Sequence, residues 1–181
     1  MARLYEFVIP VRQSTREDFS REHQEPYLLL MRDQSDDRHG WTFKTQTVSV
    51  ASAKIAKLAS DEDIQLAPEI AGYEVFPVVK ALNNPWPERI SVGRARNNDI
   101  VLPDSSVSKL HAHFKLNKAK EVSVVDAGSR NGTRVNTRKV ETGDVVRVHV
   151  GDTITFGRTT VTLLDGIALY ELVSKHVQEK S

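Results

Sequence analysis

Residues 108–136 read SKLHAHFKLNKAKEVSVVDAGSRNGTRVN, and this stretch decides the fold class. It contains three short candidate strands, at 112–116, 122–126 and 133–136, of which the last two are rich in β-branched residues. The dipeptide Asn117-Lys118 separates the first two runs, and the Gly- and Ser-containing segment 128–132 separates the last two; such residues favour turns. Short strands at close intervals with turns between them predict an all-β sandwich or barrel.

The same pattern extends outward in both directions, from about residue 73 to residue 165. It predicts further strands at 73–81, 89–93, 99–102, 145–148, 153–156 and 159–164. Beyond them, apolar residues recur at spacings of three and four over 166–180, which predicts a helix that packs by one face.

The first 70 residues have a different, mixed pattern. Ser14-Thr15-Arg16-Glu17 resembles a capping box and predicts a short helix to about Glu22. Strands are predicted at 27–31 and 41–50, a helix at 52–58 and a flexible joint at 59–72. The sequence therefore predicts three parts: an N-terminal α+β extension of unknown role (1–70), a β domain (71–166) and a C-terminal helix (167–181).

Composition excludes several functional classes. The 181 residues contain no cysteine, so disulfides, thiolate metal sites and cysteine nucleophiles are excluded. The net charge of +1 gives no general attraction for nucleic acid. Because the whole chain is nearly neutral, any anion site must be local. Residues 73–165 carry 14 Lys and Arg against 10 Asp and Glu, so the positive excess lies in this segment. The apolar run 4–11 is too short and too charged to enter a membrane, and we expect a cytoplasmic protein.

Three loop segments of the β domain carry side chains suited to binding an anion. Arg94 offers a planar fork of donors, Ser108 a hydroxyl, and Lys109 a compact positive charge. Asn131 offers an amide that can pair with a peptide backbone. Because loops at one end of a sandwich can converge, these residues predict an anion socket with a peptide clamp beside it.

The order of these segments resembles a known family. Four segments occur in the order and spacing of the forkhead-associated (FHA) domain: Gly93-Arg94, residues 98–102, Ser108-Lys109-Leu110-His111 and residues 129–136. The resemblance covers about residues 73–165. It implies an eleven-stranded β-sandwich that binds phosphothreonine peptides through the loops at one end.

The resemblance also implies a role for each site residue. Arg94, Ser108 and Lys109 would hold the phosphate, and Asn131 would hold the peptide main chain. Lys109 stands where arginine is commonest in the family. It keeps the charge but loses the fork, which implies a somewhat lower affinity for phosphate.

Neighbouring residues would shape the same site. Gly93, His111 and Gly132 resemble structural positions of the family, with Gly93 allowing a close backbone approach and His111 bracing the Ser108 loop. Arg130 and Arg134 could face the peptide, so we expect acidic residues C-terminal to the phosphothreonine to be favoured.

The expected function is a non-catalytic module that recruits phosphothreonine-bearing partners in Ser/Thr kinase signalling, with no cofactor and no metal. The alternative is a phospho-independent interaction or oligomerisation module. The first 70 residues contain no catalytic motif, and Asp104 and Asp126 are expected to bond turns rather than to form an acid–base pair. Trp41 and Trp86 are expected to pack in the core or at a domain junction.

Overall fold

The computed structural model of the protein describes residues 2–31, 64–67, 70, 72–81, 84, 86 and 88–179. The strand predicted at 41–50 and the helix predicted at 52–58 lie outside these residues. The N-terminal elements are β1 (Ala2–Arg3), a 3-10 helix (Leu4–Phe7), α1 (Val8–Gln13), α2 (Arg16–Glu22), β2 (Tyr27–Leu30) and β3 (Ile64–Leu66). They are followed by β4 (Glu74–Pro77), β5 (Ile90–Gly93), β6 (Ile100–Val101), β7 (Ala112–Leu116), β8 (Val122–Asp126), β9 (Thr133–Val135), β10 (Arg138–Val140), β11 (Val146–Val148), β12 (Thr153–Phe156), β13 (Thr159–Leu164), α3 (Gly166–His176) and β14 (Val177–Glu179).

Two sheets form the sandwich. The larger has seven strands in the order β1-β4-β2-β13-β12-β9-β10, and the smaller has five in the order β11-β8-β7-β5-β6. Only β5 and β6 pair in parallel among the described strands. The expected mainly-β sandwich is therefore confirmed, and its twelve described strands are close to the predicted eleven.

The main core lies between the two sheets, and strand alternation explains its composition. Alternate residues of each strand point inward, so β7 contributes Phe114 and β12 contributes Ile154 and Phe156, all fully buried. The rings of Phe114 and Phe156 meet edge to face at 6.1 Å. The sequence predicted these strands because this alternation is visible in it.

A second core covers the outer face of the seven-stranded sheet. Helices α1, α2 and α3 pack there against one another and against the sheet. Phe19 of α2 and Leu169 of α3 are fully buried, and they join Leu29 and Val75 from the sheet. The molecule therefore has three layers, and the helices from the two ends of the chain form the third.

Strand β2 links the two cores. It pairs with β4 on one side and β13 on the other, so it lies inside the sheet. Leu28 belongs to the sandwich core, while Tyr27 and Leu29 belong to the second core. The predicted boundary between residues 70 and 71 therefore separates β2 from the strands with which it pairs, and part of the predicted extension belongs to the sandwich.

Two predictions for the segments that flank the sandwich were wrong. The described part of the segment predicted as a flexible joint contains strand β3, and Leu66 of this strand is buried, as are Ala67 and Ile70. The C-terminal helix ends at His176 rather than at about residue 180, and Val177–Glu179 pairs with β3. Each strand supplies the hydrogen-bond partner of the other, which a local sequence pattern does not reveal.

Smaller differences have local causes. Strand β10 was missed because its sequence, Arg-Lys-Val, has one apolar residue. Helix α1 was missed because of Pro10, which is tolerated there because it lies in the first helical turn. Thr15, not Ser14, caps α2 by accepting from the Asp18 N–H. Trp86, expected to pack in the core or at a domain junction, is 61% exposed.

Candidate functional site

Three loops meet at one end of the sandwich. Arg94 follows β5, Ser108 and Lys109 precede β7, and the segment containing Asn131 joins β8 to β9. The Arg94 N–H donates to the Ser108 carbonyl at 2.9 Å, and the Arg130 N–H donates to Ser108 Oγ at 3.0 Å. The structure thus brings together the segments that the sequence placed far apart.

Arg94 and Ser108 present donors outward. Arg94 Nε donates to the Val107 carbonyl at 3.1 Å, and this bond fixes one edge of the exposed guanidinium. Its terminal N–H groups donate to no other described residue. Ser108 Oγ accepts from Arg130 N, and within the described residues its own hydroxyl proton has no acceptor. An acceptor-rich anion is the ligand that such a pair suits.

Gly93 allows the two loops to approach closely. A Cβ atom at Gly93 would lie 2.3 Å from the Lys109 carbonyl oxygen, so no other residue fits without displacing that loop. Asn98 Nδ2 holds the same carbonyl at 2.7 Å, and Ala95 N donates to it at 3.1 Å. Lys109 therefore has a fixed backbone and an exposed side chain.

His111 is fully buried beneath the Ser108 loop. Its Nδ1 accepts from the Ser108 N–H at 3.0 Å, so the neutral ring carries its proton on Nε2, which donates to the Gly132 carbonyl at 3.1 Å. Burial lowers the pKa of His111, and this effect exceeds the opposing influence of Gly132 and Asp126. One neutral imidazole thus connects two of the three loops.

Asn131 is anchored on one side only. Its Nδ2 donates to the Ser106 carbonyl at 2.6 Å, while its exposed amide retains an oxygen and a second N–H. Ser106 is itself held, because its Oγ accepts from Arg158 N at 2.9 Å. A Cβ at Gly157, where φ is +65°, would lie 2.5 Å from the Ser106 carbonyl oxygen.

Asp126 organises the loop that carries Asn131. Its carboxylate accepts from the N–H groups of Gly128 and Ser129 at 2.8 and 2.9 Å, and from the hydroxyls of Ser129 and Thr133 at 2.6 Å each. Burial alone would raise the pKa of Asp126, but these hydrogen bonds lower it overall. The turn-bonding roles expected of Asp104 and Asp126 are confirmed.

The charge at this end is positive and unneutralised. The side chains of Arg94, Lys109 and Arg130 are exposed, and no Asp or Glu in the described ranges lies within 4.0 Å of their charged nitrogens. The described residues also contain no cluster of three side chains able to hold a metal ion. The arrangement can hold one small oxyanion and an adjacent extended backbone.

Residues 90–157 match the family model of the FHA domain. This part of the chain is an FHA domain. FHA domains are phosphothreonine-binding modules, and the match spans every site loop described above.

Curated proteins are similar to part of this chain. The chain is 40% identical over 76 residues to the glycogen accumulation regulator GarA of Mycobacterium tuberculosis, covering 42% of this chain and 44% of GarA. It is 41% identical over 78 residues to the oxoglutarate dehydrogenase inhibitor of Corynebacterium glutamicum, covering 43% and 52% of the two chains. The chain thus spans about half the length of these relatives.

Solved FHA structures are similar as well. The FHA domain of the CT664 protein from Chlamydia trachomatis matches with 26% identity and a TM-score of 0.44, covering 56% of this chain and 94% of that one.

No helix in the described part of this chain is long and apolar enough to cross a membrane.

Three supporting residues were not identified from the sequence. Ser106 and Gly157 hold Asn131, and Asn98 holds the Lys109 carbonyl. Asn98 and Gly157 are residue types that favour turns, but residue type does not indicate which distant groups they contact. The contacts join residues far apart in sequence, and only the fold reveals them.

Proposed function

We propose that the FHA domain of this protein binds phosphothreonine peptides at the loop end and so recruits phosphorylated partners in Ser/Thr kinase signalling. The observation that carries the proposal is the arrangement of Arg94 and Ser108. Each has one polar atom committed to the fold and further donors available to a ligand. A phosphothreonine carries about −1.5 to −2 charge and three acceptor oxygens, which match these donors and the Lys109 ammonium.

Asn131 and Arg130 would act on the peptide rather than on the phosphate. The free amide edge of Asn131 would pair with the peptide main chain beside the phosphothreonine. Arg130 is exposed next to it, and Arg134 is exposed on β9. These two cations support a preference for acidic residues C-terminal to the phosphothreonine.

The relatives support a binding role. One is named a regulator and another an inhibitor of a metabolic enzyme, and both names describe action on another protein or process. We therefore place this chain among binding modules, not enzymes. A phospho-independent module is the second candidate, and it would bind phosphorylated and unphosphorylated partners equally.

The test is calorimetry with a phosphothreonine peptide library. Arg94→Ala and Ser108→Ala should each weaken binding by more than about 1.5 kcal/mol, the scale of one charged hydrogen bond. Arg138→Ala removes an exposed cation from β10 and should leave affinity unchanged. Wild-type affinity in both site variants would reject the assignment, and equal affinity for dephosphorylated peptides would favour the second candidate.

A further inference from the structure

A groove on the outer face of the five-stranded sheet lies next to the proposed phosphate site. It has a volume of about 430 Å³ and lies over Ser91, His113 and Val125, which face one another across β5, β7 and β8. Leu110 forms one wall and directly follows Lys109 in the chain. The groove therefore begins next to the loop that contains Ser108 and Lys109.

Two large apolar side chains flank this groove and face solvent. Trp86 is 61% exposed and Leu110 is 53% exposed. The Trp86 loop is held to the sandwich, because Trp86 N donates to Asn84 Oδ1 at 2.9 Å and Asn84 in turn bonds the Asp99 carboxylate. An exposed apolar pair beside a concavity is typical of an interaction site.

The groove carries more positive than negative charge. Arg89 and Lys115 line it together with one acidic residue, Asp126, whose carboxylate accepts hydrogen bonds from its own loop. The Arg89 guanidinium lies 5.5 Å from the centre of the Trp86 ring. No carboxylate of the described residues pairs with either cation. Burial, followed by the charges of Arg89 and Lys115, lowers the pKa of His113, which agrees with both cations lying near the groove floor.

We propose that this groove binds an acidic segment with apolar side chains, located a few residues from the phosphothreonine in the same partner. The proposal rests on the proposed function, since the phosphate would anchor the segment. Three neighbouring strands span roughly 10 Å, so about three or four extended residues cross the groove. The acidic side chains would pair with Arg89 and Lys115, and an apolar one would pack between Trp86 and Leu110.

The experiment compares four peptides by calorimetry with the full chain. The first is a short phosphothreonine peptide with no additional segment, called the armless peptide. Two others add the segment Glu-Leu-Glu-Leu-Glu, called the acidic arm, on the N-terminal or on the C-terminal side of the phosphothreonine. The fourth carries a Gly-Ser arm instead. We expect one acidic arm to raise affinity at least tenfold over the Gly-Ser arm, because the second contact is intramolecular. The variant R89E/K115E should lose that gain and still bind the armless peptide as the wild type does.

A matched control is the variant K118E/R138E, which makes the same charge change at exposed positions outside the groove and should keep the gain. Absence of any gain, or a gain that survives R89E/K115E, would overturn the proposal. So would a gain that depends on Arg130 and Arg134 instead. Self-association of the free chain that R89E/K115E abolishes would assign the groove to a second copy and also overturn it.

Failure of the armless peptide to bind would reject the proposed function but not the groove. In that case the free peptide Glu-Leu-Glu-Leu-Glu is titrated while the indole N–H resonance of Trp86 is followed, with Trp86→Phe to assign it. A saturable shift that R89E/K115E removes supports the groove. An unmoved resonance overturns it.

Discussion

At the scale of single residues, the protonation state of His111 is linked to the structure of the loop that contains Ser108. It accepts from Ser108 N and donates to the Gly132 carbonyl, and only the neutral ring can do both. A protonated ring would carry a proton at Nδ1 opposite the Ser108 N–H. The fold therefore favours the neutral form, in agreement with the lowered pKa.

This gives a signed prediction for stability. Because the pKa is lower in the folded state, the contribution of His111 is fully present above the ordinary histidine pKa of about 6.5 and is lost as the pH falls below it. His111→Asn keeps an acceptor for Ser108 but cannot titrate. We expect the variant to be less stable at pH 8 and to lose less free energy of unfolding between pH 7 and pH 5, measured by urea denaturation. A slope equal to that of the wild type would show that His111 is not the titrating group.

At the scale of elements, the close approach of β5 to the loop before β7 controls the site. Gly93→Ala would place a methyl group 2.3 Å from the Lys109 carbonyl oxygen, a backbone atom, and 2.9 Å from Asn98 Nδ2. We expect a loss of roughly 1–3 kcal/mol in stability, typical of overpacking, together with weaker phosphopeptide binding. Thermal unfolding and calorimetry measure the two effects.

The comparison for Gly93→Ala is Gly72→Ala, because a Cβ at Gly72 would meet nothing within 4 Å. That variant should bind phosphopeptide with wild-type affinity. If Gly93→Ala also binds normally, the contact between β5 and the Lys109 loop does not position the phosphate site.

The sequence predicted elements well where the information is local. The strands at 112–116, 122–126, 153–156 and 159–164 were predicted with their observed bounds because each is a short run of strand-forming residues bounded by turn residues. The site loops were identified through residue types at fixed spacing. Pairings between distant segments were not predictable, since β3 and β14 each depend on a partner more than 100 residues away.

The residues of the site show the same difference between local sequence information and contacts between distant segments. Arg94, Ser108 and Asn131 were identifiable by their chemistry, and the family resemblance indicated Gly93 and His111 as structural positions. The contacts made by Ser106 and Gly157 were not predicted. Nothing in the sequence near Asn131 indicates that the Ser106 carbonyl will anchor its amide. The exposure of Trp86 was likewise unpredictable, because a tryptophan is more often buried than held at a groove by an asparagine.

At the scale of the whole molecule, β2 makes the two cores one cooperative unit. Leu28 is buried in the sandwich core and Leu29 in the second core, and the strand pairs on both edges. We therefore propose that the folded unit containing the FHA domain includes the described N-terminal elements, with β1 and β2 in the sheet, and does not begin at residue 71. The helices then stabilise the sandwich instead of forming a separate domain.

Because β2 belongs to both cores, we expect a single unfolding transition. Leu29→Ala, which alters only the second core, should destabilise the whole chain by roughly 2–5 kcal/mol. Urea unfolding followed by far-ultraviolet circular dichroism for the helices, and by Phe114 and Phe156 side-chain resonances for the sandwich, should give coincident midpoints that shift together. If the sandwich midpoint stays unchanged while the helices unfold earlier, the two cores are independent.

The most direct test of phosphothreonine binding at the loop end is an amide chemical-shift titration of the full chain. The same peptide is added in its phosphothreonine form and in its dephosphorylated form. We expect the phosphorylated form alone to shift the amides of Arg94, Ser108, Lys109 and Asn131 in a saturable manner. Equal shifts with both forms, or shifts confined to other faces of the molecule, would contradict the account.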